Sequence, residues 1–291
     1  MTQIISALSE ISDRYDALFV DLWGCVHDGV TAFPAAVSAL QAYRAQGGTV
    51  CLLTNSPKPR AGVAAQLGQF GVPDDAWDTI ASSGDSARAA MFRGVVGQKV
   101  LFMGEWARDE GFFEPMHVIE DPVDITLVPL EEAEGIVCCG PDDPMADPDV
   151  NRPTFLYAKQ KGLKLLCANP DIVVDRGDVR EWCAGALARL YTEMGGESLY
   201  FGKPHPPIYD LARRRLSEIG KLPGEDRILA IGDGLHTDIR GAMGEDLDSL
   251  YIAGGLARDI TKTEHHPDED ALNAYLQKEM LSPSYTIGLL R

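Results

Sequence analysis

YDALFVDLWGCVHDG, residues 15–29, changes character at a single residue. ALFV is short, continuous and apolar, the composition of a strand covered on both faces. It stops at Asp21, and Gly24 and Gly29 then open a loop. A carboxylate at the tip of a buried strand can serve as a nucleophile, as a metal ligand, or simply as the residue that bonds a turn. The rest of the chain repeats the pattern: TVCLL runs into Thr54, LYF into Gly202 and Lys203, and RILAI into Gly232 and Asp233. Helix-length segments separate these runs (35–47, 59–71 and 206–220), each with apolar spacings of three and four and a terminal glycine. Strands alternating with helices predict an α/β protein with an open parallel sheet. Ligands of such sheets bind beyond the carboxyl ends of the strands, where Asp21, Thr54, Lys203 and Asp233 are all expected to project.

A second alternation fills the middle of the chain. KVLFMG (99–104), ITLVPL (125–130), GIVCCG (135–140) and LKLLCANPD (163–171) read as further strands, joined by Pro/Asp-rich segments such as PDDPMADPD. The expected organisation is a Rossmann-like core of residues 1–95 plus 195–291, with an α/β domain of residues 96–194 inserted into it. EHHPDEDA, with His265 and His266, reads as a solvated loop that opens a terminal helix.

Composition narrows the function classes. The 291 residues are 45% hydrophobic and 24% charged, with a net charge of −18, so the average field repels nucleic acid and anionic lipid. A small anion can still bind where a cation, a metal or a helix N-terminus reverses the local sign. The N-terminal residues lack a basic, apolar secretion signal and no run has the length of a membrane span, which points to a cytoplasmic protein without membrane partners. The six cysteines show no CxxC spacing and read as reduced small hydrophobes. No GxGxxG follows a predicted strand and no GxxxxGK[ST] occurs, which argues against a nucleotide-cofactor oxidoreductase.

GDGLHTDIRGA (232–242) offers Asp233 and Asp238, oxygen donors suited to a hard cation such as Mg²⁺, although GDG is also a common turn. In LLTNSP, the Thr54 hydroxyl and amide suit a phosphoryl oxygen or a helix cap, and Asn55 stands beside it. Lys203, in YFGKPHPP, is a point cation able to neutralise phosphate and carboxylate together.

Taken in order, the DxxG loop, the strand-end threonine, the strand-end lysine and GDxxxTD resemble the four motifs of the haloacid dehalogenase (HAD) superfamily. The chain is most similar to its type IIA, NagD-like branch: 149 positions separate Thr54 from Lys203, room for a large cap. CANPD (167–171) and CAGALA (183–188) resemble the cap signatures of that branch. The resemblance covers roughly residues 15–260. It implies Mg²⁺-dependent hydrolysis of a small phosphate monoester, a sugar phosphate or nucleotide, through an aspartyl-phosphate on Asp21. It further implies that Asp21, Asp233 and the Trp23 carbonyl bind the metal, that Asp238 supports the metal shell, and that Thr54 and Lys203 hold the phosphoryl group. A cap of this kind implies a gated site and a homodimer through the cap.

One position departs from the pattern. The family's DxD carries an acid/base two residues after the nucleophile, where this chain has Trp23, whose indole N–H only donates. The subgroup reading DxWGxxH(D/N)G resembles this chain at the same place. Such an acid/base is worth about 10²–10⁴ in rate. Three accounts follow: His27 or His205 transfers the proton, the substrate leaves without help, or turnover is slow and the chain is a phosphate-binding or regulatory protein. His27 also reads as a histidine bonded to loop backbone, and Trp23 as the pocket floor or a surface that stacks on substrate. In the cap, Asn169, Asp171 and Arg176 are candidate substrate contacts. NPD is also a routine turn, and Arg176 also reads as a partner of Asp175 or Asp178.

Overall fold

A computed structural model describes residues 2–116 and 119–291. The chain divides into two compact units. One comprises the residues up to Thr54, Ala64–Ala81 and Tyr209–Arg291, and the other Asn55–Val63 and Ser82–Ile208.

The first unit is built on a seven-stranded sheet. Its order is Gln3–Ile4, Tyr285–Ile287, Asp248–Ile252, Ile228–Gly232, Ala17–Val20, Thr49–Thr54, Thr79–Ser82. The pairings from Gln3–Ile4 across to Thr49–Thr54 are all parallel. ALFV, TVCLLT and ILAIG are buried along their whole length, as strands covered on both faces must be. The quoted stretch therefore ends the Ala17–Val20 strand in the middle of the sheet, with Ile228–Gly232 on one side and Thr49–Thr54 on the other. The helix at Pro34–Ala45 and the one at Arg60–Phe70, of which this unit holds the residues from Ala64 on, fall where the spacing places them. The terminal helix Glu269–Glu279 is capped by Asp268, which accepts from the Ala271 N–H at 2.8 Å. Ahead of it, His265 and His266 are exposed.

The second unit carries a five-stranded sheet in the order Glu197–Tyr200, Lys164–Cys167, Gly135–Cys138, Lys99–Met103, Thr126–Leu127, again parallel throughout. An antiparallel hairpin of Val173–Arg176 and Val179–Trp182 stands apart from it. The strand before Gly202 corrects the sequence reading. It does not lie in the sheet that carries Asp21 but pairs with Lys164–Cys167, in the register Glu197↔Lys164 to Tyr200↔Cys167. The helix Ser83–Met91 also belongs to this unit, because Ala87, Ala90 and Met91 pack into one cluster with Val100, Val137 and Leu166. The expected boundaries at 95 and 195 leave both elements with the core.

The helix Ala184–Glu193 shows why CAGALA is rich in small residues. A Cβ at Gly185 would lie 2.1 Å from the Pro170 carbonyl oxygen, and the Gly185 N–H donates to the Asp171 carbonyl at 3.1 Å. Gly185 thus lets this helix press against the NPD turn. All six cysteines are free and buried. Burial pushes the Cys51 thiol up to about 12 and raises those of Cys138, Cys139, Cys167 and Cys183 as well, which keeps them unreactive. Among the described residues, no helix is long and apolar enough to cross a membrane.

Candidate active site

In the first unit, Asp21 extends its strand by one ladder bond, its N–H donating to the Ile231 carbonyl at 2.8 Å. Asp233 follows the neighbouring strand, so parallel pairing delivers two carboxylates to the same end of the sheet. Asp21, Cys25 and Asp233, all buried, each offer one ligand atom, and these atoms lie within 4.8 Å of one another. Glycines make the approach feasible. A Cβ on Gly24 would stand 2.0 Å from Asp233 Oδ2, and one on Gly255 would stand 2.1 Å from the same oxygen. Gly24 also has φ +70°, a conformation that side chains disfavour. Asp233 Oδ2 accepts from the Leu256 N–H at 2.9 Å, which fixes the carboxylate's orientation. Two buried carboxylates held this close repel each other unless a cation joins them, and their hard oxygen donors fit a divalent ion of the Mg²⁺ type.

Asp238 stands outside that cluster of ligand atoms. Its Oδ2 accepts from the Gly234 N–H at 3.0 Å and the Thr237 hydroxyl at 3.3 Å, closing the π-turn Leu235–Ile239. A Cβ at Gly232 would lie 2.0 Å from Asp238 Cγ, so GDGLHTD packs as a single knot behind Asp233. Thr54 ends its strand almost fully buried.

His27 is buried, and its Nδ1 accepts from the Gly29 N–H at 3.0 Å. Its ring meets Trp23 edge-on at 5.2 Å and Phe70 at 4.9 Å. Burial drives its pKa down to about 4, so the imidazole is neutral at pH 7. The Trp23 ring in turn lies over Gly29, where a Cβ would come within 2.1 Å of it.

In the second unit, Asn55 ties two segments together. Its Oδ1 accepts from the Lys203 N–H at 2.7 Å, while its Nδ2 donates to the Lys203 carbonyl at 3.1 Å and to Asp171 Oδ1 at 2.8 Å. Gly202 leaves room for this, since its Cβ would lie 2.5 Å from Asn55 Oδ1. Lys203 is 2% exposed and precedes a cis peptide to Pro204. Asn169 turns back on its own loop, Oδ1 accepting from the Asp171 N–H at 3.0 Å. His205 stacks on Tyr200 with the rings 4.8 Å apart, and burial lowers its pKa. Arg176 lies in the hairpin and forms an ion pair with Glu181 across the strands at 3.1 Å. Asp175 pairs instead with Arg180 at 2.7 Å.

The structure thus gathers Asp21 and Asp233 in one unit and Asn55, Lys203 and Asp171 in the other. Cys25 joined to the two carboxylates, Gly255 and the Asn55–Asp171 bond are not singled out by the sequence reading. Cys25 carries a faint signal, sitting four residues after Asp21 in a glycine-opened turn.

Known proteins share this architecture. The family model for haloacid dehalogenase-like hydrolases matches residues 18–114, and a HAD-hydrolase-like model matches residues 200–275. The crystal structure of a haloacid dehalogenase-like family hydrolase from Brucella suis 1330 is 38% identical, covers 99% of this chain and 100% of its own, and superposes with a TM-score of 0.85. The chain belongs to the haloacid dehalogenase-like hydrolase family. Two curated relatives are more distant. A D-glycerol 3-phosphate phosphatase from Mycobacterium tuberculosis is 25% identical over 86% of this chain and 66% of its own length. A dihydroxyacetone phosphatase from Corynebacterium glutamicum is 28% identical over 34% of each chain. The chain thus spans just under two thirds of the first curated relative and about one third of the second.

Proposed function

We propose that the chain is a divalent-metal-dependent phosphatase of small phosphorylated metabolites. The observation that carries this reading is the pair of buried carboxylates, Asp21 and Asp233, with ligand atoms within 4.8 Å on adjacent strand ends. Asp21 and Asp233 would hold Mg²⁺ together with the Trp23 carbonyl, and the ion would supply charge neutralisation for phosphoryl oxygens. One Asp21 oxygen attacks phosphorus, the ester bond breaks toward the leaving alkoxide, and water then hydrolyses the aspartyl-phosphate to phosphate and free carboxylate. Thr54 and Lys203 would hold the phosphoryl group, and Asn55 would fix the Lys203 backbone through its paired hydrogen bonds. Asp238 serves as a positioning residue through the turn it closes.

In this reading, His27 is part of the scaffold: it is neutral, buried, and engaged through Nδ1. His205 is stacked on Tyr200 and likewise held toward its neutral form. With Trp23 in the acid/base position, the preferred substrates are those whose leaving group departs without a proton. Among alkyl esters, which turn over more slowly in this reading, the names of the relatives support phosphate monoesters of three-carbon size as first candidates. Trp23 also motivates the second reading, a phosphate-binding protein with little turnover. Phosphate release from p-nitrophenyl phosphate and from glycerol 3-phosphate, with Mg²⁺ and with EDTA, separates the two. Metal-dependent release supports the phosphatase, and tight phosphate binding without release supports the binding protein.

A further inference from the structure

We propose, resting on the reading of Asp21 and Asp233 as metal ligands, that the Cys25 thiol is a third side-chain donor of the same site and makes it prefer thiophilic divalent ions such as Zn²⁺, Co²⁺ and Cd²⁺ to Mg²⁺. Among the described residues, Asp21, Cys25 and Asp233 are the one group of three potential ligands whose donor atoms lie within 4.8 Å of one another, and all three are buried. Backbone hydrogen bonds fix where the thiol stands. The Leu22 carbonyl accepts from the N–H groups of Cys25 at 3.3 Å, Val26 at 2.8 Å and His27 at 3.2 Å, and the Gly24 N–H donates to the His27 carbonyl at 3.0 Å. The loop so closed lies against the second carboxylate, because a Cβ on Gly24 would stand 2.0 Å from Asp233 Oδ2. Cys51, Cys138 and Cys167 are instead strand residues, in Thr49–Thr54, Gly135–Cys138 and Lys164–Cys167.

Two carboxylates in a chain of net charge −18 attract any divalent ion, so charge alone does not choose among them. Sulfur does. Mg²⁺ takes oxygen ligands in octahedral geometry and keeps several waters, and a thiol adds little to its binding. Zn²⁺ and its neighbours accept thiolate, carboxylate and imidazole together, and thiolate is the donor that separates them from Mg²⁺. Bonds of about 2.3 Å to sulfur and about 2.0–2.2 Å to oxygen hold the donors of one ion roughly 3.5–4.5 Å apart. Donor atoms already within 4.8 Å of one another therefore reach a single ion with small side-chain adjustments. As the sulfur–metal bond forms, the thiol proton leaves to solvent, and the site gains a third anionic donor. Cys25 thus decides which ion the two carboxylates keep when several compete.

Co²⁺ titrated into the full chain reads the sulfur directly, since a thiolate–cobalt bond gives a near-ultraviolet charge-transfer band that carboxylate ligands do not. The band is expected in wild type, lost in Cys25→Ser, and reduced in Asp233→Asn, whose carboxylate shares the ion. Calorimetry adds the preference: Cys25→Ser should weaken Zn²⁺ binding by about 10²-fold and Mg²⁺ binding by far less. A wild type without the band overturns the proposal, and because that spectrum needs no variant it decides the matter even if Cys25→Ser fails to fold. A band that survives Cys25→Ser, or one indifferent to Asp233→Asn, places the sulfur-bound ion elsewhere and overturns it too. Equal losses of Zn²⁺ and Mg²⁺ affinity in Cys25→Ser would make Cys25 a packing residue of the loop. Phosphate release enters neither readout. Its absence in wild type with Mg²⁺ counts against the phosphatase reading instead, and the cobalt band still decides the thiol.

Discussion

His27 ties its protonation to stability, and the sign follows from its surroundings. Its pKa falls from 6.5 to about 4 on folding, so between those values the unfolded chain binds the extra proton. The stability contributed by neutral His27 is therefore complete above about pH 6.5 and is lost as pH falls toward 4. A shift of this size corresponds to about 3 kcal/mol at most. His27→Asn keeps an acceptor for the Gly29 N–H and removes the titration. The difference between wild type and variant in urea midpoint should change between pH 7 and pH 5, with wild type losing more. A pH-independent difference would show that burial does not hold the imidazole neutral. The residue beside it makes a kinetic prediction. With Trp23 unable to protonate a leaving group, aryl phosphates should outpace alkyl phosphates strongly, and Trp23→Asp should raise alkyl ester turnover by about 10². Equal rates for both ester classes in wild type would mean that another group supplies the proton.

At the scale of elements, two glycines, Gly24 and Gly255, stand against the Asp233 carboxylate. Gly255→Ala would place a Cβ 2.1 Å from Asp233 Oδ2 and 2.6 Å from its Cγ, so the carboxylate must move. Mg²⁺ affinity, measured calorimetrically, should drop by about tenfold or more with the circular dichroism unchanged. Unaltered affinity would place the ion elsewhere. The strands that hold the site were legible because ALFV, TVCLL and RILAI are buried on both faces and therefore apolar without interruption. LYF has the same local look, and composition does not say which sheet a strand joins. That is settled by long-range pairing with Lys164–Cys167. The two-residue strand Gln3–Ile4 is too short to show any period, and the hairpin of Val173–Arg176 and Val179–Trp182, only half covered, lacks the apolar run that marks the others. Asp21 and Asp233 were legible as strand-end carboxylates. Their company with Cys25 was not, because it depends on how the loop after Asp21 folds back.

For the whole molecule, a charge of −18 and a site built around two carboxylates make a bound cation a stabilising ligand. Millimolar Mg²⁺ should raise the Tm of wild type by mass action and leave Asp233→Asn nearly unmoved, and an equal rise in both would assign the effect to general screening. In the proposed reaction, Asp21 itself takes the phosphoryl group. The direct measurement is mass spectrometry of protein acid-quenched during turnover of p-nitrophenyl phosphate with Mg²⁺, followed by peptide mapping. One phosphoryl group is expected on the peptide containing Asp21, absent in Asp21→Asn and absent with EDTA. Sustained phosphate release with that peptide unmodified, or with the phosphoryl group on another residue, would contradict it.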